Sequence, residues 1–174
     1  MGQLTTTEEN FTVNFGLHHV ALSTPNLERC VDFYCRVLGA EVATLESSWP
    51  VGTAHADRSL ETTGSSARFA HIKVGKAFIE IFEFLSPDPV QPNRRSIDFG
   101  IAHMCFEVDD LDVEYNRMKA CGMDFQSPPV NFGDGSRYVY GKDPDGNILE
   151  FLEAPVGCGT PSNYLSSSPT SSVE

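Results

Sequence analysis

The sequence predicts an α+β fold: two βαβββ modules whose strands form a cupped, barrel-like mixed sheet around a metal site. Three observations carry that expectation. Residues 15–22, FGLHHVAL, and 99–106, FGIAHMCF, repeat one opening strand. Each is followed by a capped helical pattern. Each copy then closes on the same string, IEIFE at 79–83 and LEFLE at 149–153, so Glu80 matches Glu150 and Glu83 matches Glu153.

The elements follow in order. After the first opening strand, Thr24 is a candidate N-cap and Pro25 a first helical residue. Leu27, Val31, Tyr34 and Leu38 recur at helical spacing, and Gly39 can close the helix. Strand-like runs EVATL and ARFAHIKV lead to the closing strand. In the second copy Asp109 or Asp110 caps a helix with Leu111, Tyr115 and Met118 on its stripe and Gly122 at its end. MDFQS and SRYVYGK follow, and the turn Asp143-Pro144-Asp145-Gly146 feeds the last strand. The modules are read as residues 15–84 and 99–155, joined by a linker at 85–98 that holds Pro87, Pro89 and Pro92. Residues 1–14 and 156–174 are read as flexible tails. From His19 to Glu80 is 61 residues and from His103 to Glu150 is 47. The excess of 14 falls mostly within 46–67, which is read as one long, functional loop.

Composition narrows the function. With 40% hydrophobic residues the chain can build a core. A net charge of −12 argues against nucleic acid, whose phosphates need a basic face. No apolar run approaches the roughly 20 residues of a membrane helix. The start, MGQLTTTEENFTVN, lacks a secretory pattern. Gly2 with Thr6 fits a myristoylation pattern and Asn10-Phe11-Thr12 a glycosylation sequon; both are short matches and are discounted. The five cysteines, Cys30, Cys35, Cys105, Cys121 and Cys158, form no C-x-x-C and suit reduced thiols in a cytoplasmic protein.

Duplication singles out the chemistry. The repeat pairs His18 with Ala102 but His19 with His103, so only the second histidine recurs. Strand alternation puts His19 with Leu17 and Ala21, and puts Glu80 between Phe78 and Phe82 on one face. A carboxylate flanked by phenylalanines needs a partner, and a cation is a strong one. Two imidazoles and two carboxylates suit one divalent ion: Zn, Ni, Co, Mn or Fe. Taken singly, each residue is more often a satisfied core or surface group; as repeated pairs, His19, Glu80, His103 and Glu150 point to a metal site. Glu83 and Glu153 keep a surface reading. His18, His55 and His71 have no counterpart and stay unassigned.

The strings HHVALSTPNLERCVDFYCRVLGAEV, AFIEIFEFLSP, GIAHMCFEVDDLD and KDPDGNILEFLE together resemble the vicinal-oxygen-chelate superfamily, over nearly all of 15–155. The resemblance implies paired βαβββ modules around a metal, with ligands at the opening-strand His and closing-strand Glu of each: His19, Glu80, His103 and Glu150. The second half looks most like methylmalonyl-CoA epimerase, the complete His/Glu set more like glyoxalase I. In the epimerase the 46–67 region supplies a catalytic carboxylate, for which Glu46 and Glu61 are candidates. The implied activity is a metal-dependent isomerase, epimerase or lyase that acts on a small-molecule substrate through a stabilised enolate or oxyanion, with Glu80 or Glu150 as base. Arg137, Tyr138 and Trp49 are the substrate-binding candidates; Arg58, Arg68, Phe69 and Phe132 are weaker ones. Two other readings stay open. One is an extradiol-type Fe(II) dioxygenase using His19, His103 and Glu150. The other is a non-catalytic binding or resistance protein. A homodimer is compatible with the resemblance, because this family often assembles its modules that way.

Overall fold

The first repeat becomes strand β1 (His19–Ser23), helix α1 (Leu27–Leu38), strand β2 (Glu41–Trp49), the short helix α2 (Ala54–Ser59), and strands β3 (Ser66–Val74) and β4 (Ala77–Ser86). The second gives β5 (Met104–Glu107), α3 (Leu111–Ala120), β6 (Asp124–Phe125), β7 (Val130–Asn131), β8 (Arg137–Lys142) and β9 (Ile148–Glu153). These come from a computed structural model, which describes residues 17–90, 95 and 97–155. The expected tails at 1–14 and 156–174 lie outside these residues, as do 91–94 and 96 of the linker.

The strands form two open sheets, ordered β1-β4-β3-β2 and β5-β9-β8-β6, with β7 also on β8. The sheets are cupped, as expected, and do not close into a barrel. In each module the opening strand runs parallel to the closing strand, and the other pairings are antiparallel. One face of each sheet is covered by its helix. Ile79 and Ile81, then Leu149 and Phe151, point to that side and are buried with Tyr34, Val37 and Met118 in one core. The opposite, cup face carries Glu80 and Glu150, as period-two alternation requires.

Four local expectations change. Asn26, not Thr24, caps α1: its side chain accepts from the Arg29 N–H at 2.8 Å. Gly39 does close that helix, in the left-handed region at φ 64°. Asp110 caps α3, but the cap at the other end is Cys121 rather than Gly122. Segment 46–67 is not one loop. It holds the end of β2, all of α2, and a turn whose Gly64 and Ser65 N–H groups donate to Asp57 at 2.9 and 2.7 Å. In the second module the strand expected at MDFQS is cut to two residues, and β7 follows only after Pro128-Pro129, which lack the N–H a ladder needs.

Thr24 has a different task. It donates to Asp145 at 2.6 Å, Arg29 also pairs with Asp145, and the Tyr34 phenol donates to Asp143 at 3.0 Å. On the helix side, Arg36 donates to the Cys121 carbonyl at 2.6 Å and Arg117 to that of Val37 at 2.7 Å. The second module's Asp143–Gly146 turn is thus clasped to the first module's β1–α1 junction. Burial first, then the charge of Asp143, pushes the Tyr34 phenol far up; the Cys30 thiol, desolvated beside Asp143 and Asp145, rises to about 12. The four described cysteines, Cys30, Cys35, Cys105 and Cys121, are free thiols. Among the described residues no helix is long and apolar enough to cross a membrane.

Candidate metal and proton-transfer site

Register decides what meets on the cup face. Val74 and Ala77 flank a two-residue hairpin turn whose Gly75 sits at φ 57°, and counting outward places His71 opposite Glu80. Parallel pairing places Ala21 on the other side of Glu80. His19, one alternation earlier on the same face, reaches across: its Nε2 lies 3.2 Å from Glu80 Oε2. His71 Nε2 lies 3.3 Å from Glu80 Oε1, so the carboxylate is held between two imidazoles. Thr44 fixes the His71 ring, with its Oγ1 3.1 Å from Nδ1. His18 Nδ1 lies 2.8 Å from His19 Nδ1, and its ring stacks on Phe78.

The second module repeats the pair with different neighbours. His103 Nε2 lies 2.9 Å from Glu150 Oε2. Cys105 and Tyr140 flank Glu150 where Ala21 and His71 flank Glu80. Desolvation, then Glu150, pushes the Tyr140 phenol up; the same order of causes takes the Cys105 thiol to about 12.

Two ligands about 2.0–2.2 Å from one ion and at right angles around it stand roughly 3 Å apart. Both His–Glu pairs have that separation, so each fits two neighbouring positions on a divalent ion. The pairs remain distinct from one another. Among the described residues, no three of the four bring ligand atoms within 4.8 Å of one another; the one trio of such residue types that does is Cys30, Asp143 and Asp145. That trio is the inter-module clasp, where Asp145 serves Thr24 and Arg29 and Asp143 serves Tyr34 and Asn147.

The other candidates separate by face. Tyr138 is on the cup face, beside Phe132 and Tyr140. Trp49 also lies there, its ring against Phe69, Phe82 and Phe84. Arg137 does not. It shares the helix face with Val139, donates to Asp112 at 2.8 Å and pairs with Glu153 at 3.6 Å. Arg68 is its counterpart, chelating Glu28 at 2.6 and 2.8 Å and donating to Glu83. Both arginines are thereby occupied in tying a strand to a helix.

Glu83 and Glu153 also differ from their surface reading. Glu83 accepts the N–H of Leu27 at 3.0 Å, and Glu153 that of Leu111 at 2.7 Å. Each satisfies one of the N–H groups a helix start leaves unpaired. Glu61 is exposed at φ 50° in the turn after α2, and the Glu46 side chain lies outside the described ones. His71 was the residue missed. The Gly75-Lys76 turn signals its place: counting back from it sets His71 across from Glu80.

Residues 16–151 match the sequence model of the Glyoxalase/Bleomycin resistance protein/Dioxygenase superfamily, and the chain belongs to that superfamily. It is 31% identical over 148 residues to a 2-epi-5-epi-valiolone epimerase from an Actinomyces species, covering 81% of this chain and 80% of that protein. It is 29% identical over 140 residues to the mitochondrial methylmalonyl-CoA epimerase of Dictyostelium discoideum, covering 79% and 77%. Its fold matches a glyoxalase family protein from Bacillus cereus with a TM-score of 0.72 at 18% identity, covering 85% of this chain and 98% of the other. A fosfomycin resistance protein from Listeria monocytogenes, complexed with Mn(II) and sulfate, matches with a TM-score of 0.57 at 18% identity, covering 83% and 96%.

Proposed function

We propose that this chain is a divalent-metal-dependent epimerase that moves a proton at a carbon next to a carbonyl. The observation that carries the reading is the His–Glu pair recurring in the same register on both cup faces while its neighbours change. His19 and Glu80 with His103 and Glu150 would hold the ion. Bound there, a divalent ion supplies Lewis-acid polarisation of the substrate carbonyl. Glu80 and Glu150, related by the repeat, approach the acidified carbon from opposite modules. One carboxylate takes the proton and the other returns one to the opposite face, which inverts the centre. Thr44 orients His71, and His71 holds one Glu80 oxygen so that the other stays directed at the site. Tyr138 and Tyr140 offer phenols to substrate oxygens. The epimerase relatives support this class of reaction over the dioxygenase and the non-catalytic readings.

Sharing one ion requires the two pairs to close on each other, within a chain or between two copies in a homodimer. Leu17 and Ile101, exposed two residues before each histidine, are suited to a contact between copies. Mixing His19→Ala with His103→Ala protein separates the arrangements, because only the second restores an intact set of ligands. The central test is deuterium incorporation from D₂O into a ketone substrate under anaerobic conditions, with metal content measured alongside. Exchange that needs bound metal, at one ion per four-ligand set, supports the reading. Full exchange after chelation, or turnover only with O₂, overturns it.

A further inference from the structure

We propose that the segment by which the first module exceeds the second builds a substrate platform around Trp49, and that this platform selects a small, uncharged, cyclic polyhydroxy ketone; the proposal rests on the carbonyl-directed reading above. The excess sequence is not spent on a loose loop. It carries β2 to Trp49, turns through α2, and returns to β3. Trp49 Nε1 donates to Ser65 Oγ at 3.1 Å, and Asp57 on α2 holds the Ser65 N–H at 2.7 Å. The indole is thereby fixed from behind. Its ring centroid lies 5.8 Å from Phe69, 5.9 Å from Phe82 and 6.0 Å from Phe84, and Phe82 stacks on Phe84 at 5.5 Å. All four are half-buried.

The platform is continuous with the site. Phe69 lies 6.0 Å from the His71 ring, and Phe82 is the next residue after Glu80 on the cup face of β4. At about 3.3 Å per strand residue, Phe82 stands roughly 7 Å from Glu80 and Phe84 about 13 Å. That span matches one six-membered ring with its substituents, held at its carbonyl near Glu80. Flat aromatic surface removes the C–H face of such a ring from water, while ring hydroxyls can turn to phenols across the cup. The second module offers no equivalent: Tyr138 and Leu152 stand where Phe69 and Phe82 stand, without an α2 between its strands.

Among the described residues the strand cations turn away from this end, and the inserted segment carries one cation, Arg58, exposed on α2. Arg68 and Arg137 are tied to carboxylates on the helix face. The cup-face lysines on β3 and β8, Lys73 and Lys142, lie before the glutamates, on the side away from Trp49. The chain carries −12 overall, which repels anions at long range.

Trp49 is the single tryptophan, so its fluorescence reads binding without catalysis. The full-length protein, supplied with Zn(II), is titrated with 2-keto-myo-inositol, dihydroxyacetone and malonyl-pantetheine. The expected result is a saturable fluorescence change with the ring ketone, at least about tenfold tighter than with the open-chain ketone or the anionic thioester. By calorimetry, Trp49→Ala weakens the ring ketone roughly tenfold or more, and Trp49→Phe stays within about threefold of the parent. Preference for the thioester, or ring binding unchanged in a folded Trp49→Ala protein, overturns the proposal. Ring binding with no proton exchange in any probe leaves the platform standing and sinks the epimerase reading. Exchange on the thioester that ignores Trp49→Ala sinks the platform and leaves the chemistry.

Discussion

Glu80 and Glu150 occupy the same register position in two modules, and their surroundings have parted. Glu80 sits between His19 and His71, next to the aromatic wall at Trp49. Glu150 sits with His103, Tyr140 and Cys105. What stayed alike is one imidazole and one carboxylate per module, the part the proposed metal and proton transfer would use. What diverged is everything that would distinguish one substrate face from the other. A second comparison sharpens the first. Glu83 and Glu153 recur as faithfully as Glu80 and Glu150, three residues further on, yet they hold helix starts. Recurrence marks what both modules need, and folding needs residues as much as chemistry does.

The largest effect expected is on the glutamates themselves. Glu80→Gln and Glu150→Gln should each slow epimerisation about 10²–10⁴-fold. If the two act on opposite faces, Glu80→Gln should retain deuterium exchange with only one epimer and Glu150→Gln with only the other. Equal loss for both epimers in both variants, measured by single-turnover NMR, would break the division of labour.

The clamps should respond in stability instead. Glu83→Ala leaves the Leu27 N–H without its acceptor, removes one of the acceptors of Arg68, and should cost about 1–3 kcal/mol in urea unfolding. Glu153→Ala should cost less, because Arg137 stands 3.6 Å from Glu153 while Arg68 binds Glu83 directly. A drop in proton exchange beyond what unfolding explains would move these residues into the site.

A smaller change tests the unmatched neighbour. His71→Tyr, which copies the second module, should lower kcat by roughly tenfold or less with KM nearly unchanged. His71→Phe should lower it further, since it removes the contact to Glu80. Equal values for the two variants would show that His71 only fills space.

The smallest expected effect is with pH. Hydrogen bonds from Arg68 and Arg137 hold Glu28 and Asp112 below their ordinary carboxylate values. A depressed folded pKa adds stability above the unfolded value and loses it as pH falls through the folded one. Melting temperature should therefore be flat from pH 7 to about 5 and decline below about 4.5, the unperturbed value for Glu28. Arg68→Gln should flatten part of that decline, and an unchanged slope would detach the clamp from it.

Much of the fold is legible in the sequence. Repetition and alternation together chose His19 over His18, and the helices began within a few residues of their expected caps. The failures have physical causes. Arg137 was a substrate candidate because its charge was visible, while its face was not counted against Glu153. Glu83 and Glu153 could be assigned to the opposite face by parity, but nothing in a string shows a backbone N–H one helix away. Segment 46–67 reads as loop because Gly, Ser and Thr dominate it; its order comes from Asp57 and Trp49 reaching across space.

The clasp at Asp143 and Asp145 makes the linker between modules less than essential. Thr24, Arg29 and Tyr34 grip one turn of the second module, and Arg36 and Arg117 trade carbonyl contacts between the helices. At the turns the grip runs one way, because the hairpin at Gly75 has no acid to offer in return, while the helix contacts run both ways. Two separately synthesised halves would thus have a handedness of assembly: a first half meets the acidic turn only on a second half.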